Sequence, residues 1–358
     1  MQSLLPNIKE NIKLSDHTTF RIGGPAKYFL AVKNKEELIE TISWAKTNST
    51  PFFILGGGSN ILFADKGYDG LIIKMESEKL IFGPEEDFEI NCGAGVPLAE
   101  IVFETTSRGW GGLEWALGIP GTLGGAVCGN AGRLGQDLAQ AVLSVRILDA
   151  GLEEKEILSG DCQFSYRDSR FKHNQEIILG AKLKFTKQNK SKAEELLREA
   201  QKIIEKMPNF PSAGSVFKNC IVDASILPAG TAPSRPATPA LLLAPDSYPL
   251  SSMADTNQGS SRRPSLAASA GDSLLIRHPE LKDHVRGGKL PAGFLIQQCD
   301  LSGRQIGGAQ IWSSHGNFIL NVDRAKASDV LELIELCKKS VEEKFGVQLE
   351  EEIRKVGF

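Results

Sequence analysis

No pair of cysteines in this chain stands in a CxxC arrangement. The six present, Cys92, Cys128, Cys162, Cys220, Cys299 and Cys337, are scattered through 358 residues. That spacing offers neither a zinc site nor a disulfide framework, so no metal is expected and a reducing, cytoplasmic compartment is. No apolar run approaches the roughly 20 residues that cross a bilayer. The opening MQSLLPNIKENIKL has no signal-peptide core either, so no membrane association is expected. A basic surplus is missing as well. With 41 Lys and Arg against 44 Asp and Glu, the net charge is −3, which gives no footprint for nucleic acid.

Glycine is what the chain has in concentration. Residues 109–135, GWGGLEWALGIPGTLGGAVCGNAGRLG, hold ten of its 36 glycines, and Gly56-Gly57-Gly58-Ser59-Asn60 follows the apolar run Pro51–Leu55. Without a Cβ, glycine lets backbone N–H groups close on a ligand, and successive N–H groups form an anion-binding concavity. Two such loops suit the two ends of a diphosphate in a large dinucleotide. Neither the GxGxxG spacing nor a GxxxxGK[ST] loop is present, and glycine clusters also mark ordinary turns.

A chain of this length predicts two or three domains. Strand and helix patterns alternate along it. Ala26–Val32, Pro51–Leu55, Gly70–Lys74, Val142–Leu148 and Glu176–Phe185 read as strands. Lys35–Lys46 and Leu98–Arg108 read as amphipathic helices, as do Lys192–Lys206, ended by Pro208, and Ser328–Phe345. Such βαβ material places a ligand at the glycine turn that ends a strand. Residues 221–275 differ, being rich in Pro, Ala, Ser and Thr without sustained periodicity, and predict a flexible insertion. A lid over the site is the alternative. Leu241-Leu242-Leu243 and Leu274-Leu275-Ile276 are candidate anchors for its ends.

Three further polar clusters lie far apart: FSYRDS at 164–169, AGSVFKN at 213–219 and LEEEIR at 349–354. With TTFRIGGPA from Thr18, ILGGGSNIL, GIPGTLGGAVCGNAG, PAGFLIQQC, GGAQI and NFILN, they stand in the order of one family. The chain resembles the UDP-N-acetylenolpyruvoylglucosamine reductases, the MurB flavoenzymes of peptidoglycan synthesis. The likeness covers nearly the whole chain outside the insertion. The spacing of its C-terminal part resembles the branch that lacks extra substrate-covering loops.

The resemblance implies an α/β and α+β fold. A two-part FAD-binding region of the vanillyl-alcohol-oxidase type would occupy residues 1–75 and 76–188. A C-terminal α+β substrate domain would follow at 189–358, with the insertion at about 221–285. FAD would lie against Gly56, Gly57, Gly58, Ser59 and Asn60, and against Ile119, Pro120, Gly121, Thr122, Gly124 and Gly125. NADPH would reduce the flavin and leave, and UDP-N-acetylglucosamine enolpyruvate would take its place. Ser215 is then the proton donor, with Arg167 and Glu352 as its catalytic partners, and Lys218, Asn219 and Arg304 bind substrate. The protein is expected to act as a monomer.

A serine hydroxyl is a weak acid and protonates only a strongly basic centre within hydrogen-bond reach. The enolate of a carboxylate is such a centre, and a fixed guanidinium stabilises its charge. Glu352 either donates a hydrogen bond in its protonated form or orients Arg167 or a water. Each residue also has a bland reading: Ser215 as a turn residue, Arg167 beside Asp168 as a surface ion pair, Glu352 as one of a solvated run, Asn130 as a turn former. His173 and His315 are assigned no catalysis. The chain departs from the family at four places. Cys220 replaces a proline, Ser302 the lysine of Leu-Lys-Gly, Gln297 an acidic residue and Trp312 a small polar one, with Arg304 the candidate substitute cation. Two other readings stay open at this point: another FAD-dependent oxidoreductase of the superfamily, and a non-catalytic flavin or nucleotide-sugar binder.

Overall fold

The computed structural model describes residues 5–77, 79–222 and 274–358. The candidate anchor Leu241–Leu243 and most of the proline-rich stretch lie outside the described residues.

Three sheets carry the architecture. The first orders Lys9–Lys13, Pro25–Val32, Tyr68–Met75 and Phe52–Leu55, with the last three mutually parallel. The crossover between Pro25–Val32 and Phe52–Leu55 is the helix Lys35–Thr47, which starts where Asn34 Oδ1 accepts the Glu37 N–H at 2.9 Å. Leu38, Ile42 and Ala45 on that helix are fully buried, as the apolar spacing requires.

The second sheet is antiparallel, in the order Glu154–Leu158, Val142–Leu148, Ile177–Lys184, Glu89–Gly93, Leu80–Phe82. The third orders Ser212–Ser215, Phe318–Asn321, Ala309–Ile311 and Gln305–Ile306. Helices Ala292–Gln298 and Ala327–Phe345 supply buried residues to the same core as this sheet.

Two devices join the C-terminal part to the first sheet. Arg354–Val356 pairs in parallel with Ile61–Phe63, so residues 354–356 lie beside the short strand that follows the first glycine run. The Asp65 carboxylate accepts the N–H groups of Ala327 at 2.7 Å and Ser328 at 3.1 Å, capping the last long helix from outside. Those orphan donors and the positive end of the helix dipole both favour an acid there.

The insertion's stem is a short ladder, Cys220 opposite Leu290 and Ile221 opposite Lys289. Residues 274–285 correct the expectation of a flexible segment through 285. They form helical turns with Leu274 and Leu275 fully buried and Leu281 and Val285 nearly so, all in the C-terminal core. The local composition hid this, because four apolar side chains suffice when a core is already there to receive them. Ile276 is exposed and anchors nothing.

Candidate active site

The two glycine runs meet face to face. A Cβ on Gly57 would stand 2.6 Å from Gly121 Cα, and one on Gly56 would stand 2.7 Å from Thr122 Oγ1. Ser59 Oγ donates to Pro120 O at 2.8 Å, and Gly58 takes a left-handed φ of 64° against the backbone of His17 and Thr18. Ile119, Pro120, Gly121 and Thr122 form the opposing loop. Gly124 packs against Ala94, where the strand Glu89–Gly93 ends, and Gly125 is exposed. Gly56, Gly57 and Thr122 line a cleft of about 760 Å³, together with His17, Gly95 and Phe210. Thr122 Oγ1 has no protein partner although it is buried. An orphaned hydroxyl beside close-packed glycine backbone fits the phosphates of a dinucleotide, because both offer donors to anionic oxygens.

Asn60 ties this cofactor cradle to the other end of the chain. Its Nδ2 donates to Glu352 O at 3.0 Å, and its own carbonyl accepts from Arg354 N at 3.0 Å. Residues 350–352 in turn pair with 216–218. Glu352 N donates to Val216 O at 2.7 Å, Lys218 N donates to Glu350 O at 2.8 Å, and Phe217 lies opposite Glu351. Ser215 is thus held one residue from the strand partner of Glu352. Gly214, at φ 75°, makes the irregularity that sets Ser215 opposite Phe318. Ser215 is half-buried, and its hydroxyl has no hydrogen-bond partner among the described residues.

Arg167 arrives on a tight hairpin in which Ser165 and Asp168 exchange backbone hydrogen bonds of 3.0 and 3.2 Å. Its φ is 57°, a conformation that costs a non-glycine residue about 1–3 kcal/mol and persists only when neighbours fix it. Several do. Buried Asn130 donates to Ser165 O at 2.9 Å, Lys172 Nζ to Arg167 O at 2.5 Å and Ser169 Oγ to Cys128 O at 2.7 Å. The Arg167 guanidinium donates through Nη1 to Gly132 O at 2.7 Å. Its Nε lies 2.8 Å from Glu352 Oε1, an ion-pair distance without the alignment of a linear hydrogen bond. Burial raises the Glu352 carboxyl above its ordinary value, while Arg167, Lys172 and Lys218 pull it back.

The sequence-proposed residues are therefore brought together unequally. Arg167, Ser215, Glu352 and Asn60 form one neighbourhood. Asn219 joins it through its N–H, which donates to Tyr166 Oη at 3.2 Å, while its side-chain oxygen accepts from Ala292 N at 3.1 Å. Lys218 is engaged with Glu350 at 2.5 Å. Arg304 is exposed on the outermost turn of the third sheet and touches neither Arg167 nor Glu352. At about 4.8 Å per strand it stands roughly 14 Å from Ser215. His173 pairs with Asp168 at 2.8 Å, so that carboxylate serves the histidine and not Arg167. Sequence reasoning missed Tyr166, Lys172 and Asn317 as parts of the site, and took Asn130 for a turn residue only. Asn130 does take φ 42° after the helix Leu123–Gly129, and its side chain holds the Arg167 hairpin as well.

Residues 26–152 match the FAD binding domain, and residues 202–356 match the C-terminal domain of UDP-N-acetylenolpyruvoylglucosamine reductase. The reductase of a Synechococcus strain is 32% identical over 98% of this chain and 91% of its own length. That of Prochlorococcus marinus is 33% identical over 98% and 97%. The chain belongs to the UDP-N-acetylenolpyruvoylglucosamine reductase family. The crystal structure of the Thermus caldophilus MurB superposes with a TM-score of 0.66, at 27% identity over 97% of this chain and 98% of that one. The match at 202–356 extends the likeness beyond the cofactor region into the C-terminal domain. Like its family, this chain is an FAD-dependent oxidoreductase with the two-part cofactor region and separate C-terminal domain expected of it.

Proposed function

We infer that this MurB-family chain uses NADPH to reduce UDP-N-acetylglucosamine enolpyruvate to UDP-N-acetylmuramate, as a monomer in the cytoplasm, with Arg167, Ser215 and Glu352 at the reacting end. The observation that carries the site assignment is the Arg167–Glu352 contact, held beside Ser215 by backbone pairing and tied by Asn60 to the glycine cradle.

Gly56–Asn60 and Ile119–Gly125 would hold the cofactor's diphosphate with backbone N–H groups and the Thr122 hydroxyl. FAD held there would supply the hydride chemistry that links NADPH to the terminal enolpyruvyl carbon. The adjacent carbon then carries an electron pair conjugated with the carboxylate. The Ser215 hydroxyl, with no competing protein acceptor, gives that carbon its proton. Arg167 faces the growing negative charge on the carboxylate oxygens, in a half-buried setting where a fixed cation acts strongly. The rigid anchoring of its hairpin removes reorganisation at the moment of reaction.

Glu352 orients the guanidinium. Burial raises its carboxyl above the ordinary value, which lowers the cost of protonating it as the substrate carboxylate approaches Arg167. Lys218 and Asn219 continue the same surface toward the nucleotide, with Arg304 at the far rim of the third sheet. Ser215→Ala tests the assignment. Flavin reduction by NADPH should proceed at the wild-type rate, and reoxidation by substrate should slow by several orders of magnitude. Equal slowing of both half-reactions would remove Ser215 as the donor.

A further inference from the structure

We propose that Lys289 is a substrate-positioning residue whose ammonium, held over the Tyr166 ring, receives an anionic oxygen of the bound nucleotide sugar. The proposal rests on the reading of Arg167 and Glu352 as the reacting end.

Lys289 closes the stem of the insertion. It pairs with Ile221 and sits at the foot of a tight turn in which Gly287 and Gly288 both take left-handed φ values, 56° and 71°. That turn aims the side chain across the hairpin carrying Arg167. Lys289 Nζ stands 4.3 Å from the Tyr166 ring centroid, while Tyr166 Oη accepts the Asn219 N–H on its other side. A cation–π contact of this kind contributes about 0.5–2 kcal/mol and leaves the ammonium's three donors available.

The neighbouring lysines are engaged. Lys218 pairs with Glu350, Lys338 with Glu351, and Lys172 donates to Arg167 O. Half-buried Lys289 meets no carboxylate within ion-pair distance among the described residues. Its charge and that of Arg167 both act on the Asp137 carboxyl, opposing the rise that burial imposes there. An ammonium held in place, partly desolvated and unpaired beside the proposed reacting residues is suited to an incoming anion. The nucleotide sugar offers two kinds, the enolpyruvyl carboxylate and the diphosphate. Ser302 carries no cation and Arg304 lies at the far edge of the third sheet, so Lys289 supplies charge closer to Arg167 and Glu352.

The test titrates oxidised holoenzyme with UDP-N-acetylglucosamine enolpyruvate and with UDP-N-acetylglucosamine, which lacks the carboxylate. Binding is read from the perturbation of the visible flavin band, and kcat and KM are measured in parallel. Lys289→Ala should weaken the first ligand about tenfold, the size of one partly solvated charge contact. It should leave flavin content, NADPH reduction and kcat close to wild type. Lys289→Arg should recover most of the affinity. Weakening of both ligands assigns the diphosphate, and weakening of the enolpyruvyl ligand alone assigns the carboxylate. Either supports the proposal. Unchanged affinity in Lys289→Ala, or equal loss in Lys289→Arg, overturns it and leaves Lys289 as packing for Tyr166. If the alanine variant does not fold, Lys289→Met keeps the stem over the ring and answers the same question. Failure of the wild-type enzyme to be reoxidised by the enolpyruvyl ligand would instead undo the functional reading itself.

Discussion

Asn317 is the residue on which the position of Ser215 depends most measurably. Its Oδ1 accepts the Phe217 N–H at 2.8 Å, its Nδ2 donates to Phe217 O at 2.8 Å, and its backbone carbonyl accepts Val216 N at 2.9 Å. Asn317 is 3% exposed and Phe217 1%, so bulk solvent does not reach these groups while a side chain fills the site. Asn317→Leu keeps approximate volume and strands both polar groups of Phe217. Each buried unsatisfied group costs about 1–3 kcal/mol, so the substitution should destabilise by about 2–6 kcal/mol. Asn317→Ala, which leaves room for a water, should cost less than the leucine variant. Urea titration at fixed FAD concentration gives the difference, because cofactor binding otherwise shifts the apparent value. The same variants should slow substrate reoxidation more than NADPH reduction, since Val216 and Phe217 carry Ser215. A leucine variant within about 0.5 kcal/mol of wild type would refute the reasoning, because surface substitutions of no consequence fall in that range.

Other consequences follow from particular contacts. Gly57→Ala puts a Cβ 2.6 Å from Gly121 Cα, so the purified variant should carry well under one FAD per chain by absorbance. Asp65→Ala removes the cap of the helix Ala327–Phe345 and should cost about 1–2 kcal/mol in the same urea titration, with Asp65→Asn losing less. Glu352 has a folded-state pKa raised by burial. Its contribution to stability is therefore full below the ordinary carboxylate pKa and lost as pH rises through the folded value. The Tm of Glu352→Gln minus that of wild type should accordingly increase from acid toward neutral pH; a difference that is flat or falls would mean the carboxyl is not raised.

Local signals were strong enough to find most long elements. The helix predicted at Lys35–Lys46 spans Lys35–Thr47, and the one predicted at Ser328–Phe345 spans Ala327–Phe345, because an apolar stripe and a stop are both written locally. Val142–Leu148 is a strand over its full predicted range. What was not legible is carried by partners distant in sequence. Arg354–Val356 is a strand because Ile61–Phe63 offers an edge, and Asp65 caps a helix that begins at Ala327. Leu274, Leu275, Leu281 and Val285 look sparse in sequence yet are buried in the C-terminal core. For the site, the motif order pointed to Arg167, Ser215 and Glu352. Single polar residues such as Asn130, Lys172 and Asn317 leave no periodic or compositional trace, since each acts on backbone groups of a segment far along the chain.

Anaerobic reduction of the purified yellow protein with NADPH, followed by UDP-N-acetylglucosamine enolpyruvate, tests the central claim most directly. The account predicts bleaching of the visible flavin band and then its return with one equivalent of substrate per flavin. Bleaching without return would contradict the assigned substrate, and a colourless protein that binds no FAD would contradict the whole account.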